Sequence, residues 1–301
     1  MNIAFVGLGK MGLGLAKRIL NEGHSVTGYA PSESTRELAQ KNGIKTFDSL
    51  KELIKNLESP KIVWLMVPAG KITNEIVLEL SELLSKNDII IDGGNSYFKD
   101  SIENSNILSK QGINFIDCGT SGGLMGEEIG YSLMIGGNRE VYQQLLPIFK
   151  SVSAPDAYEY MGGSGSGHYV KMVHNGIEYG IMQAMSEGFE LVKSGYYTDI
   201  DLQKVSKVWK NGSIIRSYLM DLAYNAFQKD PNLDNLSDIV DDNGMGRWTV
   251  NTAIESAIPA PAITDAVYAR FRSRQESSFA GKTLAALRNE FGGHKTYKSK
   301  K

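Results

Sequence analysis

The sequence predicts an α/β half built on a doubly wound parallel sheet, residues 1–163, followed by an all-α half, residues 164–301. Three observations carry this. Short apolar runs at residues 2–6, 25–29, 61–67, 88–92, 114–117, 132–135 and 157–161 fall in the first half, with helix-like segments at 71–84 and 98–110 between them. Strands alternating with helices in this way form parallel sheets. Residues 163–191 open on glycine and serine and then run for more than twenty residues without proline, which reads as one long helix. Beyond it no convincing strand remains, and residues 200–228, 250–257, 262–274 and 277–291 read as helices.

Composition narrows the function classes. A chain of 301 residues is long enough for two domains and a large core, and 42% hydrophobic with 22% charged residues is ordinary for a soluble globular protein. A net charge of −2 supplies no long-range field for nucleic acid or an anionic membrane. Cys118 is the only cysteine, so no intrachain disulfide is possible. No basic-then-apolar leader opens the chain, and no apolar run approaches the roughly 18 residues of a spanning helix. A cytoplasmic protein is expected, with no internal repeat and no metal-ligand spacing.

The first strand, residues 2–6, runs at once into Gly7, Leu8, Gly9, Lys10, Met11 and Gly12, and a helical stretch follows to Asn21. This is GxGxxG between strand and helix, the context that marks a Rossmann-type dinucleotide site. The first glycine permits a tight turn, the second lets a pyrophosphate approach the backbone, and the third lets helix and strand pack closely. The helix N-terminus adds free N–H groups and a positive dipole end.

The second strand ends at Tyr29, followed by Ala30, Pro31 and Ser32, where an acidic residue would read the ribose of NAD and an arginine the 2′-phosphate of NADP. Neither signature is present. Glu33 would repel a 2′-phosphate, whereas Ser32, Ser34 and Arg36 suit one, so NAD or NADP stays open. Ligands in such sheets sit beyond the carboxyl ends of the strands. Val67, Pro68 and Ala69, and the Gly93, Gly94, Asn95, Ser96 loop, should therefore border the cofactor. Asn95 is a candidate contact to nicotinamide or substrate, with an Asx-turn as its structural alternative. The strand at 114–117 leads into a loop, Cys118 to Gly123, in which Ser121, Gly122 and Gly123 can present a hydroxyl and amides to an anion. Cys118 has no adjacent base in sequence and reads as a small buried residue.

On the long helix, Lys171, His174, Asn175 and Glu178 lie within about 100° of one another. Their neighbours Val170, Met172, Val173, Ile177, Ile181, Met182 and Met185 are apolar round most of the circumference, so the helix is expected to be buried. An amine, an imidazole, an amide and a carboxyl are buried together only when paired or when used in chemistry. The structural alternative is a Lys171–Glu178 or Lys171–Asn175 network. In the second half, Gly244, Met245, Gly246, Arg247 and Trp248 form a glycine-arginine turn, and Arg270 sits on a mostly apolar helix. A guanidinium fork fits a phosphate, or alternatively a structural salt bridge. Residues 294–301 read as a solvated tail.

Taken together, GLGKMG, IIDGGNS, the TSGG loop, KMVHNGIEYG, GRW and RNEFGGH resemble the decarboxylating 6-phosphogluconate dehydrogenases, from Met1 to His294. The wider β-hydroxyacid dehydrogenase family shares the glycine motif, the SGG loop and a Lys-x-x-x-Asn pair, but KMVHNGIEYG is narrower. The resemblance implies that Lys171 is a general base and Glu178 an acid. It implies that His174, Asn175 and Asn95 orient the substrate, that Ser121, Gly122 and Gly123 hold its carboxylate end, and that Tyr179 and Arg270 hold its phosphate. Arg288 and His294 match a C-terminal segment that enters a neighbouring subunit's active site, which implies a homodimer or homotetramer. Such chemistry needs an amine able to lose its proton and a carboxyl able to hold one, and burial favours both neutral forms.

Only 17 residues separate Arg270 from Arg288, so the chain resembles the short bacterial form, lacking a helical repeat. Asn243 and Met245 stand where long forms carry a lysine and a threonine, leaving phosphate binding to other groups, Arg247 among them. Leu124 replaces a glutamate of the long forms. Ala30, Pro31 and Ser32 replace the Asn-Arg-Thr that reads NADP, which tilts the expectation toward NAD. A 3-hydroxyisobutyrate-type dehydrogenase would keep Lys171 and Asn175 without Glu178 or the phosphate residues. A non-catalytic dinucleotide-binding regulator would need neither Lys171 nor Glu178.

Overall fold

A computed structural model describes residues 1–197 and 199–298; the tail expected over 294–301 thus lies partly outside the described residues. The chain divides into two compact units, Met1–Asn175 and Gly176–Lys301.

The first unit contains strands β1 (Asn2–Val6), β2 (Ser25–Tyr29), β3 (Lys45–Phe47), β4 (Ile62–Leu65), β5 (Ile89–Asp92), β6 (Asn114–Ser121), β7 (Tyr131–Gly137) and β8 (Ser153–Gly162). Between them run helices α1 (Lys10–Asn21), α2 (Glu33–Lys41), α3 (Leu50–Lys55), α4 (Lys71–Leu83), α5 (Phe98–Ser109), α6 (Gly126–Ile129) and α7 (Arg139–Val152). The eight strands form one sheet in the order β3-β2-β1-β4-β5-β6-β7-β8. It is a doubly wound sheet, parallel except that β7 runs antiparallel to β6.

The strands read as continuous apolar runs because both faces are covered. Along β1, Ile3 and Phe5 join Trp64, Ile89, Ile91 and Ile116 on the face packed by Leu15, Ile19, Leu145 and Phe149. Ala4 and Val6 join Val63, Leu65 and Ile90 on the other, under Leu53, Val77, Leu80 and Leu108. The period of two thus divides one run between two cores.

Four expectations need correction, the first being that the turn read over residues 244–248 is helical from Met245 onward, behind Gly244 as a left-handed cap. The strand read over 114–117 continues through Ser121, and Gly119 pairs with Met134, so only Gly122 of the glycine stretch is loop, and Gly123 opens a short 3-10 turn, Gly123–Met125. The helix read over 200–228 is two, α9 (Leu202–Gly212) and α10 (Tyr218–Lys229), after α8 (Ser166–Ser194). The break is chemical: Ser217 caps α10 by accepting the Met220 N–H at 3.1 Å. α8 itself is not buried all round, since Ile177 and Ile181 stay 51% and 44% exposed in the single chain.

The second unit is completed by α11 (Met245–Glu255), α12 (Pro261–Ser273) and α13 (Phe279–Gly292). Its core gathers Phe189, Leu202, Met220 and Phe227, with a smaller group of Tyr179, Ala266 and Val267. α13 buries none of its residues. Among the described residues no helix is long and apolar enough to cross a membrane.

Candidate active site

The order β3-β2-β1-β4-β5-β6 reverses direction between β1 and β4, and the glycine turn opens at that switch point. Its three glycines do three different jobs. Gly7 has φ +95°, and a Cβ there would lie 2.4 Å from the Met66 carbonyl oxygen. A Cβ on Gly12 would lie 2.1 Å from the Gly7 oxygen, whereas at Gly9 nothing stands within 4 Å. Gly9 caps α1 without a side-chain bond, so no cap side chain occupies the first amides of that helix, which opens with exposed Lys10 and half-buried Met11. That is a cradle a dinucleotide pyrophosphate fits.

The neighbouring loops close round it. Thr73 Oγ1 donates to the Pro68 carbonyl at 2.9 Å, and a Cβ on Gly94 would meet the Val67 oxygen at 3.0 Å, so the turns after β4 and β5 touch. The turn after β5 is shaped by Asp92, which accepts from the Gly94 N–H at 3.0 Å and from Ser96 Oγ at 2.6 Å. Asn95 is exposed between them, and Ala69 is half-buried. At the end of β2, Arg36 Nη1 donates to the carbonyls of Ala30 (2.7 Å) and Pro31 (2.9 Å), while the hydroxyls of Ser32 and Ser34 pair at 2.8 Å.

α8 meets the sheet over β6. A Cβ on Gly119 would lie 2.4 Å from Lys171 Cβ, so the missing side chain is what lets the lysine approach the strand. Residues alternate along a strand, so Ser121 leaves β6 on the same face as Gly119. Gly122 and Gly123 follow with φ +129° and +56°, the left-handed conformations that turn successive amides to one side. Lys171 and Asn175 are 5% and 6% exposed. Lys171 Nζ lies 3.4 Å from His174 Nδ1, which lies 3.0 Å from Asn175 Oδ1. One nitrogen cannot accept from an ammonium and donate to an amide oxygen at once, so the proton positions of these three groups are linked. Cys118 points into the core on the other face, and burial pushes its thiol well above the ordinary range, so it is no nucleophile.

Glu178, half-buried, and Tyr179, 5% exposed, belong to the second unit. The Tyr179 hydroxyl donates to Asn243 Oδ1 at 3.0 Å and accepts from the Asn243 N–H at 3.2 Å. The Arg270 guanidinium lies 3.6 Å from the centre of the Tyr179 ring, with Nη1 donating to the Asp241 carbonyl at 3.1 Å. Asp242 instead takes Arg247 (2.8 Å) and Arg274 (3.1 Å). The Arg247 hydrogen bond, chiefly, holds the Asp242 carboxyl below its ordinary range. Arg247, expected among the phosphate groups, is thus committed to Asp242, and the salt-bridge alternative falls to it and Arg274. Arg270 stays stacked beside the tyrosine. Arg288 and His294 stand exposed on and just beyond α13. Sequence reasoning placed Asn243 only as a departure from the long forms and missed its pairing with Tyr179, which joins residues 64 apart in the chain.

Fold and site define a class, a dinucleotide-binding unit joined to a helical unit. The NAD binding domain of 6-phosphogluconate dehydrogenase matches residues 2–163, and the 6-phosphogluconate dehydrogenase C-terminal domain matches residues 167–300. The chain belongs to the 6-phosphogluconate dehydrogenase family. It is 43% identical to a putative 6-phosphogluconate dehydrogenase of Bacillus subtilis, over 99% of this chain and 100% of that one. It is 42% identical to the NAD(+)-dependent decarboxylating enzyme of Haloferax volcanii, over 98% of each. The Plasmodium falciparum 6-phosphogluconate dehydrogenase, solved with NADP+ and with 6-phosphogluconate, superposes with a TM-score of 0.83 at 32% identity. There the match covers 97% of this chain but 65% of the longer one.

Proposed function

We propose that the protein oxidatively decarboxylates 6-phosphogluconate to ribulose 5-phosphate and CO2, the reaction of the pentose phosphate pathway, in the cytoplasm. The observation that carries this reading is Lys171, an almost wholly buried residue packed against Gly119 of β6, two positions before Ser121, and within reach of His174. Gly7, Gly9, Lys10, Met11 and Gly12, with Ala30 to Ser32, Val67 to Ala69 and Asn95, would hold NAD or NADP, which supplies the hydride acceptor when bound.

The chain's own groups account for the rest. Ser121, Gly122 and Gly123 hold the substrate carboxylate, Asn95, His174 and Asn175 orient its hydroxyls, and Tyr179 and Arg270 hold its phosphate. Lys171 takes the proton of the 3-hydroxyl as that carbon is oxidised. The resulting ammonium then donates to the new ketone, which draws in the electrons of the C1–C2 bond as CO2 leaves. Glu178 protonates the enediol carbon that lost CO2, and the enediol hydroxyl proton returns to Lys171 as the product ketone forms. His174 Nδ1 can accept from Lys171 as an ammonium, and with its own proton it can turn to Asn175 Oδ1 or to the free amine. The active form is a homodimer or homotetramer in which Arg288 and His294 enter a neighbour's site. Exposed Phe279 (83%) and Phe291 (90%) on α13 support that assembly.

NAD is the favoured cofactor, because Arg36, Ser32 and Ser34 are turned to partners in their own loop and Glu33 stands among them. With 6-phosphogluconate and equal, subsaturating cofactor, the initial rate with NAD should exceed that with NADP about tenfold, roughly one charge-assisted hydrogen bond. A faster rate with NADP would overturn the cofactor preference. Failure to reduce either would overturn the function.

A further inference from the structure

The first amides of a helix need acceptors, which the residue just before the helix usually supplies. At the start of α8 the Ser166 N–H donates to the Gly163 carbonyl at 3.1 Å, and another element supplies acceptors for the amides on either side of it. The Gly165 N–H donates to Asp117 Oδ1 at 2.7 Å and the His168 N–H to Oδ2 at 2.9 Å. Asp117 is fully buried on β6. Glycines bring strand and helix together round its carboxylate. A Cβ on Gly167 would lie 2.3 Å from the Met134 oxygen, and one on Gly136 would lie 2.7 Å from both Asp117 carboxylate oxygens. With no side chain between the backbones, α8 can neither slide nor roll on the sheet without breaking buried hydrogen bonds to a carboxylate. His168 Nδ1 and Ser101 Oγ, 2.7 Å apart, and the hydroxyls of Ser164 and Ser105, 2.8 Å apart, tie the same turn to α5.

Asp117, Gly119 and Ser121 alternate along one face of β6. The first fixes the start of α8, the second seats Lys171, and the third begins the anion-holding turn. We propose that Asp117 is a positioning residue that sets the height and rotation of Lys171 over the substrate turn, an inference that rests on Lys171 being the base. It touches neither substrate nor cofactor; it acts through the helix.

The test is Asp117→Asn in the full-length enzyme. Asparagine keeps one accepting oxygen but sets its NH2 against the other backbone N–H, donor against donor. We expect kcat, counted per cofactor-binding site by titration with NAD, to fall about 10–100-fold, as for an ångström-scale misplacement. KM for 6-phosphogluconate should stay within about threefold. A lower Tm or fewer binding sites with unchanged kcat per site would mean a merely structural role and overturn the proposal. If Asp117→Asn does not fold, Gly119→Ala carries the test. It leaves the Asp117 carboxylate itself unchanged but sets a methyl 2.4 Å from Lys171 Cβ and 2.9 Å from the Gly167 carbonyl oxygen, so the turn and the lysine must shift, and NAD-binding protein with unchanged kcat would overturn the proposal. Lys171→Ala, assayed alongside, separates the two readings. If it is inactive while Asp117→Asn keeps its kcat, only the positioning role is lost, whereas an active Lys171→Ala overturns both.

Discussion

Lys171→Ala is expected to lower kcat by about 10²–10⁴-fold, the range of a positioned general base, while NAD still binds. The proposed cofactor cradle, β1, α1 and the turns after β2, β4 and β5, lies on other elements than α8, which carries Lys171. KM for 6-phosphogluconate should change far less than kcat, because a proton acceptor acts on the transition state more than on the bound substrate. Equilibrium titration with NAD and initial rates with 6-phosphogluconate check both halves. Near-normal turnover would remove the proposed base, and loss of NAD binding would mean that the substitution had damaged the fold.

Glu178→Gln should lower the rate of ribulose 5-phosphate formation by a similar factor, about 10²–10⁴, for a different reason. Glutamine fills the same space and keeps a hydrogen-bond donor but has no proton to give. The loss should therefore fall on decarboxylation and the protonation that follows, with KM again little changed. The check is direct assay of ribulose 5-phosphate over time, since cofactor reduction alone reports the earlier step. An unchanged rate of product formation would remove Glu178 as the acid.

What the sequence made legible follows from how local each constraint is. The glycine cradle is readable because each glycine answers a nearby demand: a positive φ and a close carbonyl at Gly7, open space at Gly9, tight packing at Gly12. The helical spacing of Lys171, His174 and Asn175 is readable because it is fixed by 3.6 residues per turn. Residues 118–121 misled because Gly119 looks like a loop glycine, yet its missing side chain makes room for Lys171 within a paired strand. β3, with three residues, was too short to show a period. Asp117 and Asn243 were not legible as partners of α8, because their bonds span 48, 51 and 64 residues of chain. Such pairs exist only once the sheet and helices have formed. The resemblance singled out Arg270 and left Arg247 as a substitute phosphate group, and only the placement of Asp242 shows Arg247 paired within the unit.

The most direct test of the central claim uses 6-phosphogluconate labelled with carbon-13 at C1, incubated with the protein and NAD. Reduction of NAD matched one for one by labelled CO2, with the label absent from the ribulose 5-phosphate formed, is the predicted result. NAD reduction with the label retained in a six-carbon keto acid would show a hydroxyacid dehydrogenase that does not decarboxylate, and would contradict the roles given to Lys171 and Glu178 after the first step.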